Sequence, residues 1–174
     1  FYDHDFTEGH KRVGAGAEAS ASILDLSLNW YKDATLMRNV GGIKEQALGG
    51  WDYNLTSQIP HMPWAKVNWQ MYKVNADRGA TSLDGDIFSL EMAISPYLQL
   101  DISRDIGNDP DGNKYGALLT FVHPPRENKP TLADGFTSDE MFVKENMEHK
   151  LSAKVRRNNN IPVEIQGAVI FTKK

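Results

Sequence analysis

Leu24-Asp25-Leu26-Ser27-Leu28-Asn29-Trp30-Tyr31 decides the fold, because apolar and polar residues alternate along it one for one. Successive side chains of an extended strand point to opposite sides, so Leu24, Leu26, Leu28 and Trp30 share one greasy face and Asp25, Ser27 and Asn29 a polar one. Upstream, Val13, Ala15, Ala17, Ala19 and Ala21 interleave with Gly14, Gly16, Glu18, Ser20 and Ser22. Downstream, Trp51, Tyr53 and Leu55 oppose Asp52, Asn54 and Thr56, and Val67, Trp69 and Met71 oppose Lys66, Asn68 and Gln70. Phe88, Leu90, Met92 and Ile94 face away from Ser89 and Glu91; Leu98, Leu100 and Ile102 face away from Gln99, Asp101 and Ser103. Tyr115, Ala117, Leu119 and Phe121 form one face of a last strand, and a partial strand within residues 1–6 makes eight.

Composition narrows what such a sheet does. The 174 residues are 40% apolar and 24% charged, within the range of folded chains. No apolar run reaches the length of a transmembrane helix, but a transmembrane strand is half polar and escapes any hydropathy average. A formal charge of −4 without a basic stripe argues against a nucleic-acid partner. The absence of cysteine excludes disulfides and thiolate chemistry and suits a chain exported unfolded. The start at Phe1-Tyr2, without Met or leader, reads as a cut rather than a natural beginning.

An antiparallel sandwich shows the same alternation. Two features favour a membrane barrel. Glu18, Asp25, Asp52, Lys66, Glu91 and Asp101, with Asn54, Asn68 and Gln70, give the polar faces the character of a wet lumen. Long links (7–11, 33–49, 75–86, 107–113) also alternate with short ones (22–23, 58–64, 95–97), as extracellular loops alternate with periplasmic turns in outer-membrane barrels. Trp30, Tyr31, Trp51, Trp64, Tyr97 and Tyr115, near strand ends, are candidates for the aromatic girdles. By parity the last strand runs inward, and His123-Pro124-Pro125 falls on the periplasmic side.

After about residue 122 the grammar changes. Thr137 and Ser138 precede Asp139-Glu140 with capping-box spacing, and Val143, Met147, Leu151 and Val155 recur every four residues. This predicts an amphipathic helix with Lys154, Arg156 and Arg157 near its C-terminal end and the asparagines at 158–160 as its stop. Residues 163–171 read as extended. The expected division is a barrel over 1–122 and a helix and linker over 123–174.

Several segments resemble the inverse autotransporter barrel of the intimin/invasin family. They are Phe1-Tyr2-Asp3-His4-Asp5-Phe6 with the following Arg12-Val13-Gly14-Ala15-Gly16-Ala17-Glu18, and Gly50-Trp51-Asp52 before a Pro-containing turn. The strand ending Asp101-Ile102-Ser103-Arg104-Asp105 and the aromatic last strand belong with them. The sharpest match is Val155-Arg156-Arg157-Asn158-Asn159-Asn160-Ile161 with Glu164 after it. The resemblance spans nearly the whole chain in order. It implies a twelve-stranded outer-membrane barrel whose linker, through Arg157, Asn158, Asn159, Asn160, Ile161 and Glu164, crosses the lumen and carries a C-terminal adhesive passenger to the surface. The implied partners are outer-membrane lipid, the barrel-assembly machinery during insertion, and a host or cell-surface receptor reached through the passenger. Eight strands enclose a lumen about filled by side chains, so some four upstream strands are expected to make room for the linker. Pro162 and the long, aromatic-poor stretch 34–48 depart from the family's pattern.

No catalytic, cofactor or metal site is expected. Asp3-His4-Asp5 comes nearest to one, but alternation turns His4 away from both carboxylates. His10, His61, His123 and His149 lack acidic partners at ligand spacing and read as solvated. Residues 108–113 resemble a calcium loop but lack its bidentate Glu and read as a hairpin turn. Gly14 and Gly16 precede no helix, which excludes a phosphate loop; they either admit a second backbone inside the barrel or relieve twist. Arg156 and Arg157 either pair with Glu18, Asp25 or Glu91 or cap a solvated helix. The leading reading is a non-enzymatic anchor and translocator; the rivals are a passive channel with a C-terminal plug and a soluble β-rich binding domain.

Overall fold

A computed structural model describes residues 1–35, 37–76, 80–108, 112–126, 129–144, 156–158, 160–165 and 168–171. In chain order the strands are β1 (Tyr2–His4), β2 (Lys11–Ser20), β3 (Leu24–Asp33), β4 (Arg38–Val40), β5 (Ile43–Ala47), β6 (Gly50–Ile59), β7 (Met62–Val74), β8 (Leu83–Ser95), β9 (Leu98–Gly107), β10 (Lys114–Phe121), β11 (Pro162–Ile165) and β12 (Ala168–Phe171). The eight strands read from alternation make one antiparallel sheet in the order β1-β2-β3-β6-β7-β8-β9-β10. β1 and β10 are its edges, so the sheet is open in this chain rather than closed into a cylinder.

Burial on this sheet is inverted relative to a water-soluble protein. On β3, Leu28 and Trp30 are exposed while Ser27 and Asn29 are buried; on β6, Trp51 is exposed and Asp52, Asn54, Thr56 and Gln58 are buried. Leu119 and Phe121, at 62% and 70% exposure, are among the barest side chains of the sheet. A face this apolar and continuous needs lipid rather than water, as the outer surface of a transmembrane barrel does. Trp30, Trp51, Tyr97 and Tyr115 stand on that outer face as girdle residues should. Tyr31 and Trp64 do not. They share parity with Asn29 and Lys66, and both are buried on the polar side.

The link 33–49 is not irregular. It holds the β4–β5 hairpin, turned at Gly41 and Gly42 with φ of 59° and 90°, the left-handed pair that a two-residue hairpin requires. β11 pairs with β5, and β12 with β11, giving a second antiparallel sheet in the order β12-β11-β5-β4. β11 and β12 therefore pair antiparallel with each other instead of running on as one extended strand. The apolar core lies here, at the long-link end, where Leu48, Val74 and Leu83 pack with Val169.

The other end is covered by the chain after β10. Val122 N–H donates to the Tyr97 carbonyl (2.7 Å) and Arg126 N–H to that of Pro96 (3.0 Å), both at the β8–β9 turn. The chain then reaches the β6–β7 turn, where Trp64 Nε1–H donates to the Phe136 carbonyl (2.8 Å) and His61 N–H to that of Met141 (2.8 Å). The expected helix start is absent: 137–144 are irregular, with bends at 139–142, and its later stripe, Met147, Leu151 and Val155, lies outside the described residues. The capping device instead belongs to Thr131 and Asp134 around a short 3-10 turn (Leu132–Asp134), where the Asp134 carboxylate accepts from the Thr131 N–H and hydroxyl.

Candidate lumen-crossing site

Between the covered short-turn end and the second sheet, residues 156–158 and 160 lie on the polar face, and their contacts climb β2 and β3. Val143 N–H still donates to Gln58 Oε1 (3.0 Å) beside the short turn. Arg156 N–H donates to Glu18 Oε1 (3.2 Å), and its carbonyl accepts from Asn29 Nδ2 (2.9 Å). Asn158 N–H donates to the Tyr31 hydroxyl (2.9 Å). The Arg12 guanidinium donates to the carbonyls of Asn158 (2.5 Å) and Asn160 (3.1 Å). Leu48 N–H then donates to the Pro162 carbonyl (2.8 Å), and β11 begins.

The chemistry of this path follows from its location. The segment lies over the face of the sheet, whose backbone groups point within the plane of the sheet, so it finds no backbone ladder there and side chains must satisfy its polar groups. Asn158 contributes from within the segment, since its Oδ1 accepts the Asn160 N–H (2.9 Å), an Asx-type local bond. The wall side chains are themselves held. The Tyr31 hydroxyl donates to Asp52, and the same carboxylate accepts from Asn29 Nδ2 (2.8 Å) and Asn54 Nδ2 (2.9 Å). Arg12 lies 4.0 Å over the Tyr31 ring and donates to Asp3 Oδ2 (2.9 Å).

Charge complementarity runs alongside. Arg156 meets Glu91 (2.5 Å), whose register neighbours are Lys66 on β7 and Asp101 on β9. Arg157 meets Asp3 Oδ1 (2.6 Å) and lies 4.4 Å over the Phe1 ring. One buried carboxylate, Asp3, thus holds a guanidinium from the wall and one from the linker. The exposed Arg156–Glu91 pair is worth little by itself. Arg12 and Asp3 are buried; removing Asp3 would leave the Arg12 guanidinium without a carboxylate, whereas removing Arg12 leaves Asp3 paired with Arg157.

The residues named from sequence fall as follows. Glu18 and Glu91 touch the crossing segment; Asp52 supports it through Tyr31 and Asn29. Asp101 accepts from Gln99 (2.6 Å), and Asp25 and Lys66 lie half-buried on the same face. Of the residues expected in the linker, Arg157, Asn158 and Asn160 contact the polar face, Ile161 is buried, and Glu164 lies within β11 opposite Gln46; Asn159 lies outside the described residues. Gly16 does not admit the linker backbone itself. A Cβ there would stand 2.5 Å from Asn29 Oδ1, so the glycine makes room for the amide that reaches Arg156. Gly14 likewise accommodates the Phe1 ring.

Sequence reasoning missed Asp3, Arg12, Asn29 and Tyr31 as contacts. The usable signal was parity, since Arg12 shares a face with Gly14, Gly16 and Glu18. His10 was also misread. It is buried against Glu45 (Nε2 to Oε2, 3.1 Å), a partner on the next hairpin that no local spacing announces.

The profile of the family described as "Inverse autotransporter, beta-domain" matches residues 1–159. A curated protein of Escherichia coli (strain K12), described as an attaching and effacing protein homolog, is 33% identical over 66 residues. That alignment takes in 36% of this chain and 22% of the relative, so it spans about a fifth of the relative's length. A solved chain from a structure entitled "Unveiling the Mechanism Behind the in-meso Crystallization of Membrane Proteins" aligns over 95% of this chain and 71% of its own, with a TM-score of 0.70 at 16% identity, which shows the fold.

Proposed function

The chain belongs to the inverse autotransporter β-domain family, and from that premise we propose that it anchors and exports a passenger through its own lumen. The family is one of outer-membrane β-barrels with a translocator role and is not a family of enzymes. In this reading residues 1–122 contribute barrel wall and 123–174 form the post-barrel segment. The short turns face the periplasm, the long links face outside, and residues 156–161 lie across the pore. The observation that carries it is the succession of bonds from Gln58 through Glu18, Asn29, Tyr31 and Arg12 to Leu48. A periplasmic plug would have no need to reach the outer rim and pair with β5 there. A passenger following the linker would emerge beside the second sheet and meet its receptor outside the cell, while the outer face contacts lipid and the barrel-assembly machinery inserts it.

The test uses the parent protein with an epitope tag directly after Lys174. Antibody staining of unpermeabilised cells is the expected result. Staining only after permeabilisation would remove the export reading and leave the plugged channel. Deleting 157–161 should leave the barrel inserted and stall display; normal display by that deletion would overturn the role of the crossing segment.

A further inference from the structure

Away from the crossing path, Glu8, His10 and Glu45 bring one ligand atom each to within 4.8 Å of one another. Glu8 and His10 belong to the long link between β1 and β2, and Glu45 sits in the middle of β5. His10 is fully enclosed and Glu45 nearly so, while Glu8 is half-buried. The His10 Nε2 faces Glu45 Oε2 at 3.1 Å, but His10 Nδ1 is enclosed with no hydrogen-bond partner. An ion bound through Nε2 would put the ring proton on Nδ1, so Nε2, a Glu45 oxygen and a Glu8 oxygen stand as three acceptors within 4.8 Å of one another. The cluster is then rich in acceptors and short of a cation. The neighbouring Arg38 gives its Nη1–H to the Gly9 carbonyl (2.9 Å).

We propose that Glu8, His10 and Glu45 bind one divalent first-row transition ion, with Zn2+ best suited to one imidazole nitrogen and two carboxylate oxygens. Mg2+ and Ca2+ take shells of oxygen and fit an imidazole poorly. Tetrahedral ligands at about 2.1 Å from zinc stand roughly 3.4 Å apart. His10 and Glu45 already have that separation within a few tenths of an ångström, and Glu8 is the arm free to close. The site has a structural consequence, because Glu45 is the register partner of Ile165 on β11. An ion there ties the first long link to the hairpin on which the linker strand docks, a staple at the rim. The site does not depend on whether the barrel exports anything.

The experiment is calorimetric titration of ZnCl2 into the intact protein, folded in detergent, with MgCl2 and CaCl2 as comparisons. One Zn2+ per chain is expected, at least tenfold weaker in Glu8→Gln, which alters the least buried ligand. His61→Gln, at the opposite end of the sheet, should bind as the unaltered protein does. Should His10→Gln fail to fold, Glu8→Gln still decides. No saturable Zn2+ binding by the folded protein, or equal affinity in Glu8→Gln, overturns the proposal.

Discussion

Arg12→Met tests the crossing site at its most connected residue. The substitution keeps much of the aliphatic stem and removes the guanidinium, and with it the donors to the carbonyls of Asn158 (2.5 Å) and Asn160 (3.1 Å). Hydrogen bonds to a charged group contribute about 1.5–3 kcal/mol each. Their gross loss is therefore about 3–6 kcal/mol, and water reaching the freed carbonyls returns part of it. Asp3 keeps Arg157 (2.6 Å), so no carboxylate is stranded. A net loss of about 3 kcal/mol corresponds to roughly a 150-fold rise in the unseated fraction of the linker. Hydrogen exchange by mass spectrometry on the intact, inserted protein reads this directly. Amides of 156–160 should exchange roughly 150-fold faster while the barrel strands keep their protection. Arg12→Lys should fall between, since it keeps the charge but not the fork that reaches two carbonyls. Unchanged protection of 156–160 in a folded Arg12→Met barrel would refute the idea that this side chain seats the linker.

Three further outcomes are expected. Gly50→Ala should destabilise the barrel by about 1–3 kcal/mol in a urea titration in lipid vesicles, because its Cβ would stand 2.0 Å from the Lys73 carbonyl oxygen on β7. Leu28→Arg, midway along β3 on the outer face, should cost about 2–4 kcal/mol in the same titration, the depth-dependent penalty of a charge against lipid. The Thr131 hydroxyl and N–H hold the Asp134 carboxyl below the usual carboxylate range, so Thr131→Val should raise that pKa, read by NMR titration. A depressed carboxyl stabilises above its unfolded pKa, so the 131–134 turn should loosen as pH falls through the folded value.

The barrel strands were legible because lipid outside and polar contacts inside impose a strict period of two on both faces. Where a residue's character did not announce its side, the sequence misled. Tyr31 and Trp64 are aromatic and near strand ends, so they looked like girdle residues, yet they share parity with Asn29 and Lys66. The β4–β5 hairpin left a signal in Gly41-Gly42 between short strands, obscured because its partner β11 lies more than a hundred residues later. His10 and Glu45 meet only through that same hairpin. The Thr137/Glu140 spacing predicted a cap that the structure builds at Thr131 and Asp134, where the second acid is Asp rather than Glu.

The distribution of polar side chains on β1, β2, β3 and β6 follows from one constraint. A segment lying over the face of a sheet has nothing but side chains to satisfy its amides and carbonyls, so the wall needs groups that reach: Arg12 with two donors forward, Tyr31 accepting from the segment while donating to Asp52, Asn29 bridging Arg156 and Asp52. The constraint ends where β5 offers an unpaired edge. From that point a ladder replaces side-chain donors, and Pro162 marks the change. Its missing N–H costs nothing at the first position of β11, while its carbonyl takes the Leu48 N–H. The proline and the long stretch 34–48, which looked like separate departures from the family's pattern, thus meet at one junction: the stretch supplies β5, and the proline begins the strand that docks on it.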